Sequence, residues 1–333
     1  MNRVVKVAGV TAGVAAGVAG AAYAAQRALG RSLRHRADPD AGRLGPLVFD
    51  EARRLPSHDG GSIYTVVRGD GPPIVLAHGV TISSRVWVKQ FGSLPRAGVQ
   101  VVAFDHRGHG ESTVGESGHS VANLGHDLAS VLEGLDLTDA VLVGHSMGGM
   151  AVQELAIRDP ELLRKRVRGI VLLSTAARTR LTASRAVRTV AEQLSGRFTL
   201  GSVMSHQDLG VMFARIGFGR DPLASHVELA REMLATCDAE TSREAVNTLF
   251  GLDLVAELDQ IALPTLVVGG THDVITPPAE SRLIAERVPG ARLVMYERAG
   301  HMLMLERAEE LDALILDFAR EVGALGADHA ASA

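Results

Sequence analysis

The sequence predicts an α/β fold in which a mostly parallel sheet carries helices on both faces. Three observations lead there. From Leu47 onward, short apolar runs alternate with stretches of helical spacing, and buried strands alternating with helices imply parallel pairing through crossovers. One such run, Ala140 to Gly149, passes through Gly144-His145-Ser146-Met147-Gly148 directly into helix-forming residues. Finally, His78-Gly79, Asp105, Ser146, Asp273 and His301 all fall just past apolar runs, and loops at the carboxyl ends of parallel strands form the binding crevice.

The elements follow in order. Leu47 to Leu55 and Ser62 to Val67 read as strands joined at Asp59-Gly60-Gly61, a hairpin signal. Pro73 to Ala77 is a continuous apolar strand, followed by a helix over Ser84 to Leu94. Val99 to Phe104 is the next strand, and Val121 to Leu135 is an amphipathic helix with Leu124, Leu128, Val131, Leu132 and Leu135 on one face. The strand before Ser146 leads into a helix from Met150 to Arg158, stopped at Pro160. Val167 to Leu173 and Thr265 to Gly270 are further apolar strands, and a helix from Ala279 to Val288 precedes the strand Ala291 to Tyr296. A final helix runs from Leu303 to Val322. Between them, residues 178–255 show helical spacing (Val187, Val190, Leu194; Val227, Leu229, Met233, Leu234) and no β-branched run, as a helical insertion would.

Composition bounds the function. The 333 residues are 46% hydrophobic and 22% charged, as in a globular chain with a sizeable core. Residues 1–45 hold seven Lys and Arg against two Asp, whereas the remainder holds 27 against 36 acidic residues. An acidic body argues against nucleic acid as a partner. The lone cysteine, Cys237, rules out an internal disulfide and a cysteine-based metal cluster, and reads as a buried, inert thiol.

The pentapeptide around Ser146 carries the chemistry. Gly-x-Ser-x-Gly between strand and helix is a nucleophile elbow, a strained turn that lifts the serine out of the chain. Side chains at 144 and 148 would meet neighbouring backbone as the chain doubles back. Serine needs a base, and the base needs a partner that fixes its tautomer. His301, in Ala299-Gly300-His301, is the candidate base, and Asp273 is the candidate acid. The order Ser146, Asp273, His301 is the one associated with this elbow. Two backbone amides, those of Met147 and Val80, are the candidate oxyanion hole. His78 shapes that loop by hydrogen bonding, and Asp105 to Ser112 organises a tight turn beneath the site. His106 and His109 have no carboxylates at ligand spacing, so no metal and no cofactor are expected. His272 reads as a loop histidine.

These pieces resemble the α/β-hydrolase superfamily over residues 47–322: His78-Gly79-Val80, Asp105-His106-Arg107-Gly108-His109-Gly110-Glu111-Ser112, Gly144-His145-Ser146-Met147-Gly148-Gly149, Gly270-Thr271-His272-Asp273, and Ala299-Gly300-His301 with Glu306. The resemblance implies an eight-stranded sheet with a helical cap inserted after the sixth strand. It implies a serine hydrolase cleaving a carboxylic ester through an acyl-serine intermediate, similar to esterases and monoglyceride lipases. Lactone or carbon–carbon bond hydrolysis, and cofactor-free haloperoxidase chemistry, share the same triad. A non-catalytic ligand-binding member is the alternative of another class. Epoxide hydrolases and haloalkane dehalogenases are disfavoured, because they carry Asp where this chain has Ser146. In the insertion, Val203, Met204, Leu209, Val211, Met212, Phe213, Ile216 and Phe218 either form its own core or line an apolar substrate pocket.

The leader is a separate question. Residues 7–25 carry no charge over 19 positions, and as a helix they would span roughly 28 Å, close to the thickness of a bilayer core. The expectation is a membrane anchor, with Arg27, Arg31, Arg34 and Arg36 holding the body in the cytoplasm. A signal peptide cleaved after Ala22-Tyr23-Ala24, and a soluble leader, are the alternatives. The expected division is a leader and linker at 1–45, a core at 46–177 and 256–323, a cap at 178–255 and a flexible tail at 324–333.

Overall fold

The computed structural model describes residues 36–179 and 204–325. The apolar runs form one eight-stranded sheet: β1 (Glu51–Pro56), β2 (Ser62–Arg68), β3 (Pro73–Ala77), β4 (Gln100–Phe104), β5 (Ala140–His145), β6 (Val167–Leu173), β7 (Thr265–Gly270) and β8 (Arg292–Tyr296). Their spatial order is β1-β2-β4-β3-β5-β6-β7-β8. Only the β1–β2 and β2–β4 pairs are antiparallel; every later pair is parallel.

Strand periodicity divides the core in two. Ile74 and Leu76, Val141 and Val143, and Val171 and Leu173 point to one face. Val75 and Ala77, Ala140 and Leu142, and Ile170 and Leu172 point to the other. The alternation is the two-residue period of a pleated strand. Because both faces are covered, the central strands are apolar throughout rather than every second residue. On the first face lie α1 (Val88–Ser93) and α10 (Ala308–Glu321), which contribute Phe91, Leu311, Ile315 and Phe318. On the second lie α2 (Val121–Gly134), α3 (Met147–Arg158) and α8 (Pro278–Arg287). Their Leu128, Val131, Leu132, Val152, Leu155 and Ile284 complete that layer. Ser120 caps α2 by accepting the Asn123 N–H at 3.0 Å.

The helices depart from the sequence reading in three places. The expected helix over Ser84 to Leu94 is α-helical only over α1, with tighter three-residue turns at Ser84–Trp87 and Leu94–Ala97. Pro160 does stop α3, but it also opens α4 (Pro160–Arg166). Proline at the first helical position loses no hydrogen bond, and Asp159 caps the new helix through the Leu162 N–H at 2.9 Å. The expected helix from Leu303 to Val322 is broken at Arg307 (φ −134°) into α9 (Leu303–Glu306) and α10.

Within the insertion the described helices are α5 (Gln207–Arg215), α6 (Ala224–Thr236) and α7 (Ala239–Leu249). Val187, Val190, Leu194 and Val203 lie outside the described residues. A paired stem joins the insertion to the sheet layer, with Thr179 N–H donating to Leu252 O at 3.0 Å and Leu254 N–H to Ala177 O at 2.8 Å. Of its apolar side chains, Met204 and Phe218 are buried, whereas Leu209, Phe213 and Ile216 are exposed. Cys237 is half-buried rather than buried, and burial pushes its thiol up to about 11.

The stretch read as a linker, 37–45, is bonded along its length to the rest of the chain. Asp38 accepts the N–H of Ser225 at 2.7 Å, and Asp40 meets Lys89 and His226, the latter at 2.7 Å. At the other end, Ala324 and Leu325 still pack into the core. The membrane-anchored localisation is corrected: among the described residues no helix is long and apolar enough to cross a membrane. Residues 7–25, on which the anchor was placed, lie outside the described residues. The physical reason against it is compositional. Only Val7, Val10, Val14 and Val18 are strongly apolar there, and Ala and Gly gain little on transfer to hydrocarbon.

Candidate active site

The five sequence-selected positions meet at the carboxyl ends of the parallel strands. His78 follows β3, Asp105 follows β4, Ser146 follows β5, Asp273 lies beyond β7 and His301 beyond β8.

Ser146 sits at φ 53°, ψ −117°, between the last residue of β5 and the first of α3. A non-glycine residue in that region is strained and persists only where its surroundings hold it. Four contacts hold this one: its N–H donates to Leu173 O at 3.0 Å, and its carbonyl accepts from Gly149 N at 3.0 Å, from Met150 N at 3.1 Å and from Thr175 Oγ1 at 2.6 Å. The glycines explain how the chain fits. A Cβ at Gly144 would stand 2.6 Å from Gly148 O, and one at Gly148 would stand 2.4 Å from Ala77 O. The N–H of Met147 opens α3 and, like the other first amides of a helix, has no acceptor within it.

Asp273 and His301 form a buried pair, 4% and 5% exposed. His301 Nδ1–H donates to Asp273 Oδ2 at 2.9 Å. The same oxygen accepts from Thr276 Oγ1 at 2.7 Å, while Oδ1 accepts the N–H groups of Ile275 and Thr276, each at 2.9 Å. Burial pushes the Asp273 carboxyl up, but the His301 charge and these hydrogen bonds outweigh it and hold it below its ordinary value. With Nδ1 committed to Asp273, Nε2 of His301 has no hydrogen-bond partner among the described residues. No hydrogen bond joins the side chains of Ser146 and His301; the His301 ring is held through Nδ1 by Asp273.

Two residues that the sequence reading did not single out support this pair. Thr276 fixes the carboxylate, as above. His145 donates from Nε2 to the carbonyl of His301 at 3.1 Å, with the two rings 4.6 Å apart. Burial, with His301 next, keeps His145 well below the ordinary histidine value, so its ring stays neutral. Its only sequence signal is its place beside the elbow serine. Glu306 anchors the His301 loop from the other side, taking Gly300 N–H on Oε1 at 2.9 Å and Gly219 N–H on Oε2 at 2.8 Å.

Beneath the site, Asp105 accepts Ser84 N–H at 2.8 Å and Glu111 N–H at 2.9 Å, closing the turn that carries His106 to Ser112. Arg107 is fully buried between Asp59 and Asp127, 2.9 and 2.7 Å away. His78 donates from Nδ1 to Gly79 O at 2.7 Å and accepts His106 N–H at 2.9 Å. Among the described residues no group of three or more His, Cys, Asp or Glu is placed to hold a metal ion. His272 accepts from Arg220 Nε at 2.7 Å at the rim.

A family model described as the alpha/beta hydrolase fold matches residues 72–308. The chain belongs to the alpha/beta hydrolase fold family. Within the α/β hydrolases, it is 29% identical over 251 residues to the non-heme chloroperoxidase CPO-A1 of Kitasatospora aureofaciens, covering 74% of this chain and 90% of that protein. Among solved structures, the enol-lactonase of Burkholderia xenovorans LB400 superposes with a TM-score of 0.68 at 26% identity, over 80% of this chain and 99% of the other. A thermophilic esterase from Thermogutta terrifontis gives a TM-score of 0.69 at 25% identity, over 82% and 99%. The part matched by the family model runs from β3 to the first residue of α10 and so contains Val80, Ser146, Met147, Asp273 and His301. The β1–β2 hairpin of this α/β hydrolase lies outside it.

Proposed function

We propose that this α/β hydrolase cleaves carboxylic esters carrying an apolar acyl or alcohol group, through an acyl-serine intermediate. One observation carries the reading: the Asp273–His301 hydrogen bond at 2.9 Å, at the end of the sheet where the elbow presents Ser146. In this mechanism Ser146 Oγ attacks the ester carbonyl while its proton passes to His301 Nε2. Asp273 holds the ring in the tautomer that leaves Nε2 bare and stabilises the imidazolium that forms. The N–H groups of Val80 and Met147 hold the oxyanion of the tetrahedral intermediate. Its collapse expels the alcohol, protonated by His301, and leaves the acyl-serine. Water, deprotonated by His301, then attacks the acyl carbonyl; the carboxylic acid departs and Ser146 regains its proton.

In this reading the described helices of the insertion, α5 to α7, belong to a cap over the site, with a small-molecule ester as the partner. An apolar substrate is supported by Phe213 and Ile216 on the insertion and by Val274 and Ile275 beside Asp273, all left exposed at 45%, 51%, 66% and 52%. The likeness to an enol-lactonase and a chloroperoxidase favours a second reading on the same residues, lactone opening or haloperoxidase chemistry. The test is fluorophosphonate labelling of Ser146, followed by turnover of p-nitrophenyl esters of graded chain length beside lactones and β-diketones. Full ester turnover by Ser146→Ala would sink the mechanism. Turnover of lactones alone would select the second reading.

A further inference from the structure

The proposed oxyanion donor Val80 lies between two peptide planes, and each plane is held by a different buried histidine. The first plane is Gly79–Val80. In a trans peptide the carbonyl and the N–H point in opposite directions, and the described chain contains no cis peptide bond. His78 Nδ1–H takes the Gly79 carbonyl at 2.7 Å. The N–H of Val80 is thereby turned to the opposite side.

The second plane is Val80–Thr81. Its carbonyl accepts from Thr81 Oγ1 at 2.6 Å, and its N–H donates to His109 Nε2 at 3.0 Å. Thr81 stands at φ 62°, a left-handed conformation that a β-branched residue adopts only under constraint. The bond to His109 supplies that constraint. His109 is itself fixed: its Nδ1–H donates to Arg107 O at 3.0 Å, which leaves Nε2 without a proton and able only to accept. The Arg107 backbone is in turn anchored by the buried guanidinium between Asp59 and Asp127. Gly108 and Gly110, at φ 73° and 51°, let the chain fold back so that the His109 ring reaches Thr81.

From this geometry we infer that His109 is a positioning residue for the oxyanion hole, setting the direction of the Val80 N–H through Thr81. The inference rests on the reading of Val80 as an oxyanion donor. It gives the Asp105–Ser112 turn a role in the reaction beyond closing itself. Burial pushes His109 down to about 3 and His78 to about 4, so both rings stay neutral and keep their accepting nitrogens at neutral pH.

Three substitutions separate the two bonds of His109. His109→Gln places an amide oxygen near the position of Nε2 and keeps an acceptor for Thr81. His109→Asn keeps a donor for Arg107 O but loses that acceptor, and His109→Phe loses both. Removing one oxyanion donor outright costs about 10²–10³-fold in rate, so a misdirected donor should cost less. We expect kcat on a p-nitrophenyl ester to fall about 10- to 100-fold in His109→Phe and His109→Asn, with KM little changed. His109→Gln should recover most of the rate. Wild-type kcat in His109→Phe, or a faster His109→Asn than His109→Gln, overturns the inference.

Two spectroscopic measurements begin from the wild-type protein, and the first needs no variant. Imidazole nitrogen shifts should show His109 protonated at Nδ1; protonation at Nε2 overturns the inference. In 15N-valine-labelled protein, the Val80 amide should move downfield when Ser146 is phosphonylated by a fluorophosphonate. No movement in the wild type overturns the Val80 reading, and the inference with it. Equal movement in wild type and His109→Phe overturns the inference and leaves the Val80 reading standing.

Discussion

Asp38 and Ser225, 187 residues apart, are joined twice: the carboxylate of Asp38 accepts the Ser225 N–H at 2.7 Å and its hydroxyl at 2.9 Å. Helix α6 begins at Ala224 behind Leu223, which offers no side-chain cap. Asp38 therefore serves as an external N-cap, with its negative charge at the positive end of the helix. Asp38→Ala should cost about 1 kcal/mol and raise amide exchange over 224–236, with ester turnover nearly unchanged. Unaltered exchange would show that α6 does not depend on this strap.

On the proposed mechanism, Asp273→Asn keeps the shape of the pair but presents an amide to His301 Nδ1. The ring can then settle in the wrong tautomer, and the imidazolium loses its counter-charge. In triads of this kind the loss in kcat is about 10⁴-fold. Steady-state kinetics should show it in kcat rather than KM, with thermal stability close to wild type.

Gly79 and Gly148 should respond differently to alanine. At Gly79 a Cβ would lie 3.0 Å from His145 Nδ1 and 3.1 Å from Ser146 Cβ, contacts that small side-chain shifts can relieve. On the proposed mechanism, Gly79→Ala should fold and lose activity, because the atoms that yield belong to Ser146 and its neighbour His145. At Gly148 a Cβ would stand 2.4 Å from Ala77 O, a backbone atom within the sheet. Gly148→Ala should lower the unfolding midpoint strongly or fail to fold, which circular dichroism and denaturant titration would report.

Stability should fall as pH drops below about 6.5, the ordinary histidine value. Burial lowers His78 to about 4 and His109 to about 3, and it holds His106 and His145 well below normal. Between the unfolded and folded values the unfolded chain binds protons that the native rings refuse, so acid favours unfolding. The stability these rings contribute is complete above 6.5 and is lost on the way down to 4 and 3. Asp273, held low, adds to the loss as pH falls through its native value. Glu306 and Asp312, raised by burial, oppose it. Urea midpoints between pH 8 and pH 4 would check the sign; a flat profile would contradict it.

Glu306→Gln should loosen the His301 loop, because an amide offers one oxygen where the carboxylate offers two to Gly300 N–H and Gly219 N–H. Hydrogen bonds to a charged group contribute about 1.5–3 kcal/mol each. A reduced kcat with a lowered thermal midpoint is expected; wild-type values for both would show that the loop is held without it.

Much of this was legible in the sequence because the signals are local. The central strands read correctly as short apolar runs, and β6 spans the same residues as its run, Val167 to Leu173. The elbow was visible because a close backbone approach demands glycine at 144 and 148 in one contiguous stretch. Helix α4 was missed because Pro160 is both a helix stop and a good first residue. The strap at 37–45 was missed because its partners, Lys89, Ser225 and His226, are distant in the chain. Thr276 lies in no motif, and His145 and His109 lie inside motifs that do not reveal their tasks; their roles come from which nitrogen or oxygen faces which neighbouring group.

By itself the sequence determined the fold class, the strand order along the chain and the residue types gathered at one end of the sheet. Those follow from periodicity and from local sterics, which are set by near neighbours. The tertiary structure alone decided the Asp273–His301 bond, the tautomers of His78 and His109, and the tie from Asp38 to α6. Each of these depends on atoms brought together by burying both faces of the sheet, and no run of neighbouring residues encodes that distance.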